Sequence, residues 1–468
     1  MANVAQPLAA VASVSNSRPA NGIAASPEVT RSAYLPIVFA RFPPQNIFGV
    51  GAVTFNTAGS FQMLTPLGGA WSRHPGVAWS QVEPTEGNRN WSVLAGFEQE
   101  LINASAAGIS PIIIIWSTPT WAQSISGSFC GPVAPAKYAA FASYVSELVK
   151  RYSGSPYNVK YWEIGNEPDV QASVSNGGFG CWGNNTDAYY GGGAYGNALK
   201  AVYPAVKAAN PTAQVLMGGL LMDSPNDACP TNDCPARFFE GMLRAGGGLA
   251  FDGVSFHAYD AFGVTGTPPT TPNVYGSIGG KWGTAWNTTG PVITAKLNFL
   301  KQRLAKYGVT GKYFLNTETA LICGYSASDC TTGTFETAKA YYVPISYAYA
   351  IREGLRANIW YDLQSGWKFS NLIGGGAEFP AYSAMKLART KLQDAVYVRD
   401  FAPTPGVKAF EFTRGNKRLW VVWSFDGAAH NVTLSPTPTS IQDALGAVTP
   451  NAASVQVTSK PLYIEWDL

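Results

Sequence analysis

Residues 161–169 read YWEIGNEPD. They complete the run VKYWEIGN (159–166), whose near-continuous apolar character fits a parallel strand buried on both faces. Strand alternation puts Glu163, Gly165 and Glu167 on one parity, and Pro168 then ends any central strand. Parity therefore does not separate the two acids, but depth does. Glu163 lies inside the strand, whereas Glu167 stands at its C-terminal mouth beside Asn166.

Similar apolar runs bounded by turn residues recur at 47–53, 70–79, 111–116, 213–219, 252–257, 312–317 and 357–362. Helical periodicity fills the intervals at 93–107, 134–152, 189–209, 236–245, 292–307, 335–354 and 381–392. It is clearest in APAKYAAFASYVSELVKRY (134–152), where Pro135 suits a first turn and Gly154 follows the end. Strands alternating with helices in this number predict an α/β fold, a (β/α)8 TIM barrel over 45–393. The first crossover, 55–69, supplies only a short or irregular helix. From 394 to 468 the pattern changes to VKAFEFTR, KRLWVVWSF, NVTLSP, ASVQVTS and PLYIEW, without helical period. That predicts a small antiparallel β-sandwich, with a strand from 33–44 as the candidate to complete it. Residues 1–32, rich in Ala, Ser, Val and Pro, read as a flexible leader.

Composition narrows the function. The 468 residues carry 32 Lys and Arg against 29 Asp and Glu, a net charge of +3, with no basic block. Nucleic acid and anionic membranes are thereby disfavoured as partners, and no obligate protein partner is evident. No apolar run reaches the ~18 residues of a membrane-spanning helix. Charged residues make up 13% of the chain, about half the usual share, so the surface leans on amides, hydroxyls and glycine. Pairing by proximity joins Cys229 to Cys234, Cys323 to Cys330 and Cys130 to Cys181, out of the fifteen connectivities six cysteines permit. With no CxxC and three histidines, disulfides of a secreted or extracytoplasmic protein fit better than a zinc site. No metal or organic cofactor is expected.

On a barrel, Glu167 falls just past the fourth strand and Glu318 just past the seventh. Barrel enzymes place their chemistry at these C-terminal strand ends. A solvated surface role suits neither acid, because WEIGNEP and FLNTET carry little charge and each Glu follows an apolar strand. Two carboxylates facing one pocket suit glycosidic bond cleavage, one held protonated and the other ionised.

WEIGNEP resembles the Asn-Glu-Pro signature of clan A, the large (β/α)8 superfamily of retaining glycoside hydrolases. The chain is similar over about 45–468, most like family 39, with families 5 and 30 as near alternatives. The resemblance implies that Glu167 is the acid/base, that Asn166 binds the sugar 2-hydroxyl, and that Glu318 in FLNTETA is the nucleophile. It further matches Arg73 in GGAWSRHPG to a carboxylate partner, His257 and Tyr259 in VSFHAYD to substrate or carboxylate contacts, and Trp360 to the platform beneath the glycone. WSQVEPTEGNRNW (79–91) resembles the element after strand two, and PLYIEW the end of the trailing β module. On this reading the substrate is a polysaccharide or oligosaccharide with β-glycosidic bonds, xyloside-like. An endo-acting glycanase, a transglycosylase and a non-catalytic carbohydrate-binding barrel stand as alternatives.

Further residues are assigned by place. Glu163 reads as structural support paired with Arg73. Trp116, Trp121, Trp182, Trp282 and Trp286 are candidate loop platforms for sugar rings, and Asp260 and Asp362 are acids without a catalytic case. The cysteines and the Gly/Pro-rich insert 260–291 fall in segments expected above the catalytic face, which implies a remodelled cleft.

Overall fold

The run SPIIIIW forms strand β3, Ser110–Trp116, and shows why the sheet closes on itself. Ile112 belongs to the interior cluster of the barrel, whereas Ile113 and Ile115 belong to the shell packed under the helices. A strand apolar on both parities needs cover on both sides, and a barrel ringed by helices provides it. The computed structural model describes residues 46–51, 54–56, 58–173, 181–262, 286, 288, 290–323, 330 and 333–468. The expected leader (1–32), the completing strand (33–44), Trp282 and most of the insert 260–291 lie outside the described residues.

Eight parallel strands form one closed barrel in sequence order: β1 (Phe48–Val50), β2 (Trp71–Ala78), β3, β4 (Tyr161–Asn166), β5 (Gln214–Leu220), β6 (Gly253–Phe262), β7 (Tyr313–Cys323) and β8 (Ala357–Trp360). The helices are α1 (Ala58–Leu64), α2 (Trp79–Val82), α3 (Ala95–Ala106), α4 (Tyr138–Tyr152), α5 (Gly192–Ala209), α6 (Phe238–Arg244), α7 (Ile293–Lys306), α8 (Gly333–Arg352) and α9 (Pro380–Leu392). The first crossover is the short α1 followed by a single 3-10 turn, Thr65–Leu67, as its weak periodicity foretold. Trp71, Ile112, Tyr161, Leu216, Tyr313, Leu315, Ala357 and Ile359 fill the interior, so the barrel is a packed core with its opening above this layer.

Two strands outrun their sequence signals. β6 and β7 stay paired to Phe262 and Cys323, well past the 257 and 317 expected. Every residue of both is buried, so the pair continues as a covered ribbon above the barrel.

Beyond a small hairpin, β9 (Ile373–Gly374) with β10 (Ala377–Glu378), the rest of the chain is antiparallel. β11 (Val396–Phe401), β12 (Val407–Arg414), β13 (Lys417–Ser424), β15 (Ser440–Asp443), β16 (Val448–Thr449) and β18 (Leu462–Asp467) form a six-stranded sheet. β14 (His430–Thr433) and β17 (Ser454–Val457) form a two-stranded ribbon. Alternation decides what each face of the large sheet covers. Val407, Ala409, Trp420, Val422, Ile464 and Trp466 pack with Val432, Val455 and Val457 of the ribbon. Phe410, Phe412, Leu419, Val421, Trp423 and Tyr463 instead join the main core, where Phe410 meets Tyr349 of α8 with ring centroids 4.8 Å apart. A buried ion pair, Lys391 Nζ to Glu465 Oε2 at 2.5 Å, links α9 to the same sheet.

Among the described residues no helix is long and apolar enough to cross a membrane. The structure joins Cys130 to Cys181, Cys229 to Cys234 and Cys323 to Cys330, with Cα separations of 5.4, 5.8 and 5.9 Å. Cys323 ends β7, and the other five lie in segments that follow β3, β4, β5 or β7, on the C-terminal side of the barrel.

Candidate active site

The centre of the barrel mouth is built around one guanidinium. Arg73, on β2, is 6% exposed and points up the interior. Its Nε donates to Glu163 Oε2 at 2.6 Å, its Nη2 to Asn166 Oδ1 at 2.7 Å, and its Nη1 to Glu318 Oε1. Burial alone would lower the Arg73 pKa, but the charges of Glu163 and Glu318 outweigh it and hold the proton on. Glu163 is fully buried and also accepts from Thr317 Oγ1 at 3.2 Å. Its place below the mouth is the supporting one expected for it.

Each acid at the mouth is aimed by a local departure from regular strand. Gly165 has φ +83° and Glu167 itself φ +51°, while the Glu167 N–H donates to Gly219 O at 2.9 Å. A left-handed residue with a side chain is costly, about 1–3 kcal/mol, and persists where the surroundings fix it. Here it turns the chain so that a carboxylate following the strand leans over the opening. On β7 the device is a bulge. Phe256 pairs with Asn316 and His257 pairs with Glu318, leaving Thr317 extra. Consecutive residues then both serve the interior, Thr317 toward Glu163 and Glu318 toward Arg73. Bulges beside active sites re-aim side chains in this way.

β6 supplies two more groups. The Tyr259 hydroxyl donates to Glu318 Oε2, and His257 Nδ1 lies 2.8 Å from Glu167 Oε1 and 3.5 Å from Glu318 Oε2. His257 has no exposure, and its Nε2 has no hydrogen-bond partner among the described residues. Its ring occupies space only a glycine leaves open. A Cβ on Gly219 would stand 2.2 Å from His257 Nε2.

Electrostatics separates the acids. Burial, then the charges of Glu318 and Asp169, pushes the Glu167 carboxyl well above the usual range. Burial raises Glu318 too, but Arg73 and the Tyr259 hydroxyl oppose it. Burial, with the charges of Arg73 and Lys296, holds His257 well below the usual imidazole range, so its ring is neutral. Glu318 thus has a cation and a hydroxyl as partners, and Glu167 a neutral ring.

Glu167, His257 and Glu318 bring donor atoms within 4.8 Å of one another, a set of the kind that binds a metal ion. The donor chemistry fits a cation poorly. Both Glu318 oxygens already accept hydrogen bonds, one of them from the Arg73 cation.

The remaining expectations divide. Trp116 ends β3 in register with Ala78, on the parity of Ile112, and is partly exposed. Trp360 does not line the mouth. It is fully buried beneath the helices, its Nε1 donating to Ser370 O at 2.8 Å and its ring meeting Tyr342. Ala357 and Ile359 take the inward parity of β8, so Trp360 must face outward and the next residue, Tyr361, inward. Tyr361 meets Tyr259 edge-on at 6.4 Å, and burial with the Glu318 charge pushes its hydroxyl up to about 12. Trp121, Trp182 and Trp286 are structural. Trp121 donates to Glu83 O, Trp286 donates to Met222 O, and Trp182 packs on Tyr195. Asp260 is buried, accepting from Val292 N–H and Tyr342 O–H.

Sequence reading also missed Lys296 and Asp169. Lys296, from α7, donates to Leu221 O at 2.6 Å and His257 O at 2.8 Å, while Asp169 accepts from the Leu221 and Met222 amides. Together they fix the ends of β5 and β6 behind the imidazole. The signal existed: Ile293, Leu297, Leu300 and Leu304 form the apolar stripe of α7, and Lys296 falls within it.

No family model matches the sequence, and no curated protein resembles it. Solved structures do resemble it in fold. A family 39 glycoside hydrolase from the gut symbiont Bacteroides cellulosilyticus WH2 superposes with a TM-score of 0.66, at 20% identity over 90% of this chain and 81% of that one. A family 30 endoxylanase from Clostridium papyrosolvens C71 gives 0.57 at 16% identity, over 92% of this chain and 98% of that one. A monomeric β-xylosidase from Caulobacter crescentus CB15 gives 0.55 at 13% identity, over 91% and 97%. At such identities the likeness establishes a shared architecture, the barrel with its trailing β region. Chemistry must be argued from the site itself.

Proposed function

We propose that this chain is a retaining glycoside hydrolase, with Glu318 as nucleophile and Glu167 as acid/base. The carrying observation is the placement of two buried carboxyls, with oxygens within 4.8 Å, of which Glu318 bonds Arg73 and Tyr259 and Glu167 does not. Retaining enzymes hold their carboxyls about 5–5.5 Å apart, while inverting ones leave about 6.5–9.5 Å for a water.

In the first step Glu318 attacks the anomeric carbon while Glu167 gives its proton to the departing glycosidic oxygen. The product is a glycosyl ester on Glu318 and a free aglycone alcohol. In the second step Glu167 takes a proton from water, and the resulting hydroxide displaces Glu318. The sugar leaves with its original configuration. His257 in the Nδ1–H tautomer donates to Glu167 Oε1 and leaves the other oxygen for the proton in transit; the alternative tautomer would bury an unpaired N–H. Arg73 and Tyr259 favour the ionised form of Glu318 against burial, and aim it. Arg73 also takes Asn166 Oδ1, which fixes the amide at the mouth where the sugar 2-hydroxyl would lie.

The substrate in this reading is a β-linked glycan, as the fold neighbours named for xylan and xylosides suggest. The barrel over 45–393 does the chemistry, and the β region from 394 is its ancillary module. Three disulfides on the catalytic side fit a secreted or extracytoplasmic protein. The test is hydrolysis of xylan, glucan, mannan, galactan and aryl β-glycosides by wild type beside Glu318→Gln and Glu167→Gln. The reading expects Glu318→Gln to be inactive on all of them, and Glu167→Gln to retain activity only where the aryl leaving group needs no proton. Wild-type rates from Glu318→Gln would refute it.

A further inference from the structure

The segment after β8 carries a large exposed ring with no role in the core. Trp367 is 36% exposed, and its indole meets Tyr259 at 5.0 Å and Tyr361 at 5.8 Å, in both cases edge-to-face. Tyr259 is the residue whose hydroxyl bonds Glu318. Trp367 therefore extends an aromatic wall that begins at the carboxylate.

The backbone presenting this ring is held in a costly form. Gly366, Lys368 and Phe369 have φ of +74°, +46° and +59°. Two of the three carry side chains, and left-handed backbone is unfavourable for them. The segment is clamped from beneath. Lys339 of α8, without exposure, donates to Phe369 O at 2.8 Å and Asn371 O at 2.7 Å, and Trp360 Nε1 donates to Ser370 O. A buried ammonium committed to two carbonyls of one loop fixes the loop's shape, and the loop projects an indole into solvent.

We propose that Trp367 is a sugar-stacking residue on the glycone side of the cleft, selecting a pyranose ring through its apolar C–H face. This rests on the glycosidase reading of Glu167 and Glu318. β8 adjoins β7, which carries Glu318, and lies across the barrel from β4, which Glu167 directly follows. The glycone sits over the nucleophile and the leaving group over the acid, so a ring reached through Tyr259 and Tyr361 meets the glycone. An aromatic face suits a sugar's C–H surface. Trp360, the indole expected to do this, is buried; the task passes to Tyr361 and Trp367.

The experiment compares Trp367→Phe, Trp367→Leu and Trp367→Ala on 4-nitrophenyl β-xyloside, β-glucoside, β-galactoside and β-mannoside, with unfolding followed for each variant. Leucine keeps apolar bulk against Tyr259 but has no aromatic face. The expected result is a rise in KM of about tenfold for Leu and Ala with kcat within about threefold, and Phe close to wild type. An unchanged KM in Trp367→Leu overturns the proposal, whatever happens to kcat, since Trp367 then only braces Tyr259. Failure of the underlying reading looks different, because Glu318→Gln would then hydrolyse these substrates as wild type does.

Discussion

Replacing Arg73 by Met tests the electrostatic logic of the site. The guanidinium faces two buried carboxylates, Glu163 at 2.6 Å and Glu318 in direct contact. With charge centres about 4 Å apart and an effective dielectric of about 20, each pair contributes about 4 kcal/mol of attraction. At Glu318 that attraction opposes the upward push of burial on the carboxyl. Tyr259 continues to donate, so the Glu318 carboxyl is expected to rise, but by less than the whole of that attraction. The acid limb of kcat/KM, which reports the free enzyme, should move to higher pH in a profile from about pH 4 to about pH 9. Unfolding in urea should show a loss of about 3–5 kcal/mol, the usual cost of orphaning a buried charge. Arg73→Lys should fall between, keeping the charge but losing the fork that reaches Asn166. A folded, active Arg73→Met whose acid limb sits where the wild type's does would refute the reasoning.

Two other perturbations have worked signs. Burial pushes the Asp260 carboxyl from 3.8 up to about 6. The unfolded chain therefore loses that proton first, and this group's stabilisation is full below about pH 3.8 and gone above about pH 6. Asp260→Asn lacks the term, so its stability relative to wild type should improve by roughly 3 kcal/mol between about pH 3.5 and about pH 7 in urea unfolding; an unchanged difference would count against the burial argument. Gly219→Ala sets a Cβ 2.2 Å from His257 Nε2 and 2.8 Å from Thr317 Oγ1. It should cost about 1–3 kcal/mol of stability and, by displacing the imidazole from Glu167, reduce kcat/KM in protein that is still folded; wild-type kinetics would show that His257 is not held by that glycine.

Much of this was legible in the sequence, for physical reasons. Parallel strands buried on both faces leave continuous apolar runs, so all eight barrel strands could be placed, and acids at the ends of such runs stand out because little else there is charged. The expectation that Arg73 would meet a carboxylate, and that His257 and Tyr259 would meet substrate or the mouth acids, came from the resemblance of GGAWSRHPG and VSFHAYD to clan A. Trp360 was misplaced because residue type was preferred to alternation; the inward parity of Ala357 and Ile359 already pointed to Tyr361. The extensions of β6 and β7, the bulge at Thr317 and the left-handed Glu167 depend on neighbouring strands and leave no periodic trace. Lys296 was visible as a lysine in an apolar stripe, but its partners are carbonyls of β5 and β6, contacts that only the tertiary fold creates.

The most direct test of double displacement through Glu318 is the anomeric configuration of the first product, followed by proton NMR on the best β-glycoside substrate of the panel. The account predicts that the β-anomer appears first and the α-anomer only later, by mutarotation. Initial release of the α-anomer would contradict it.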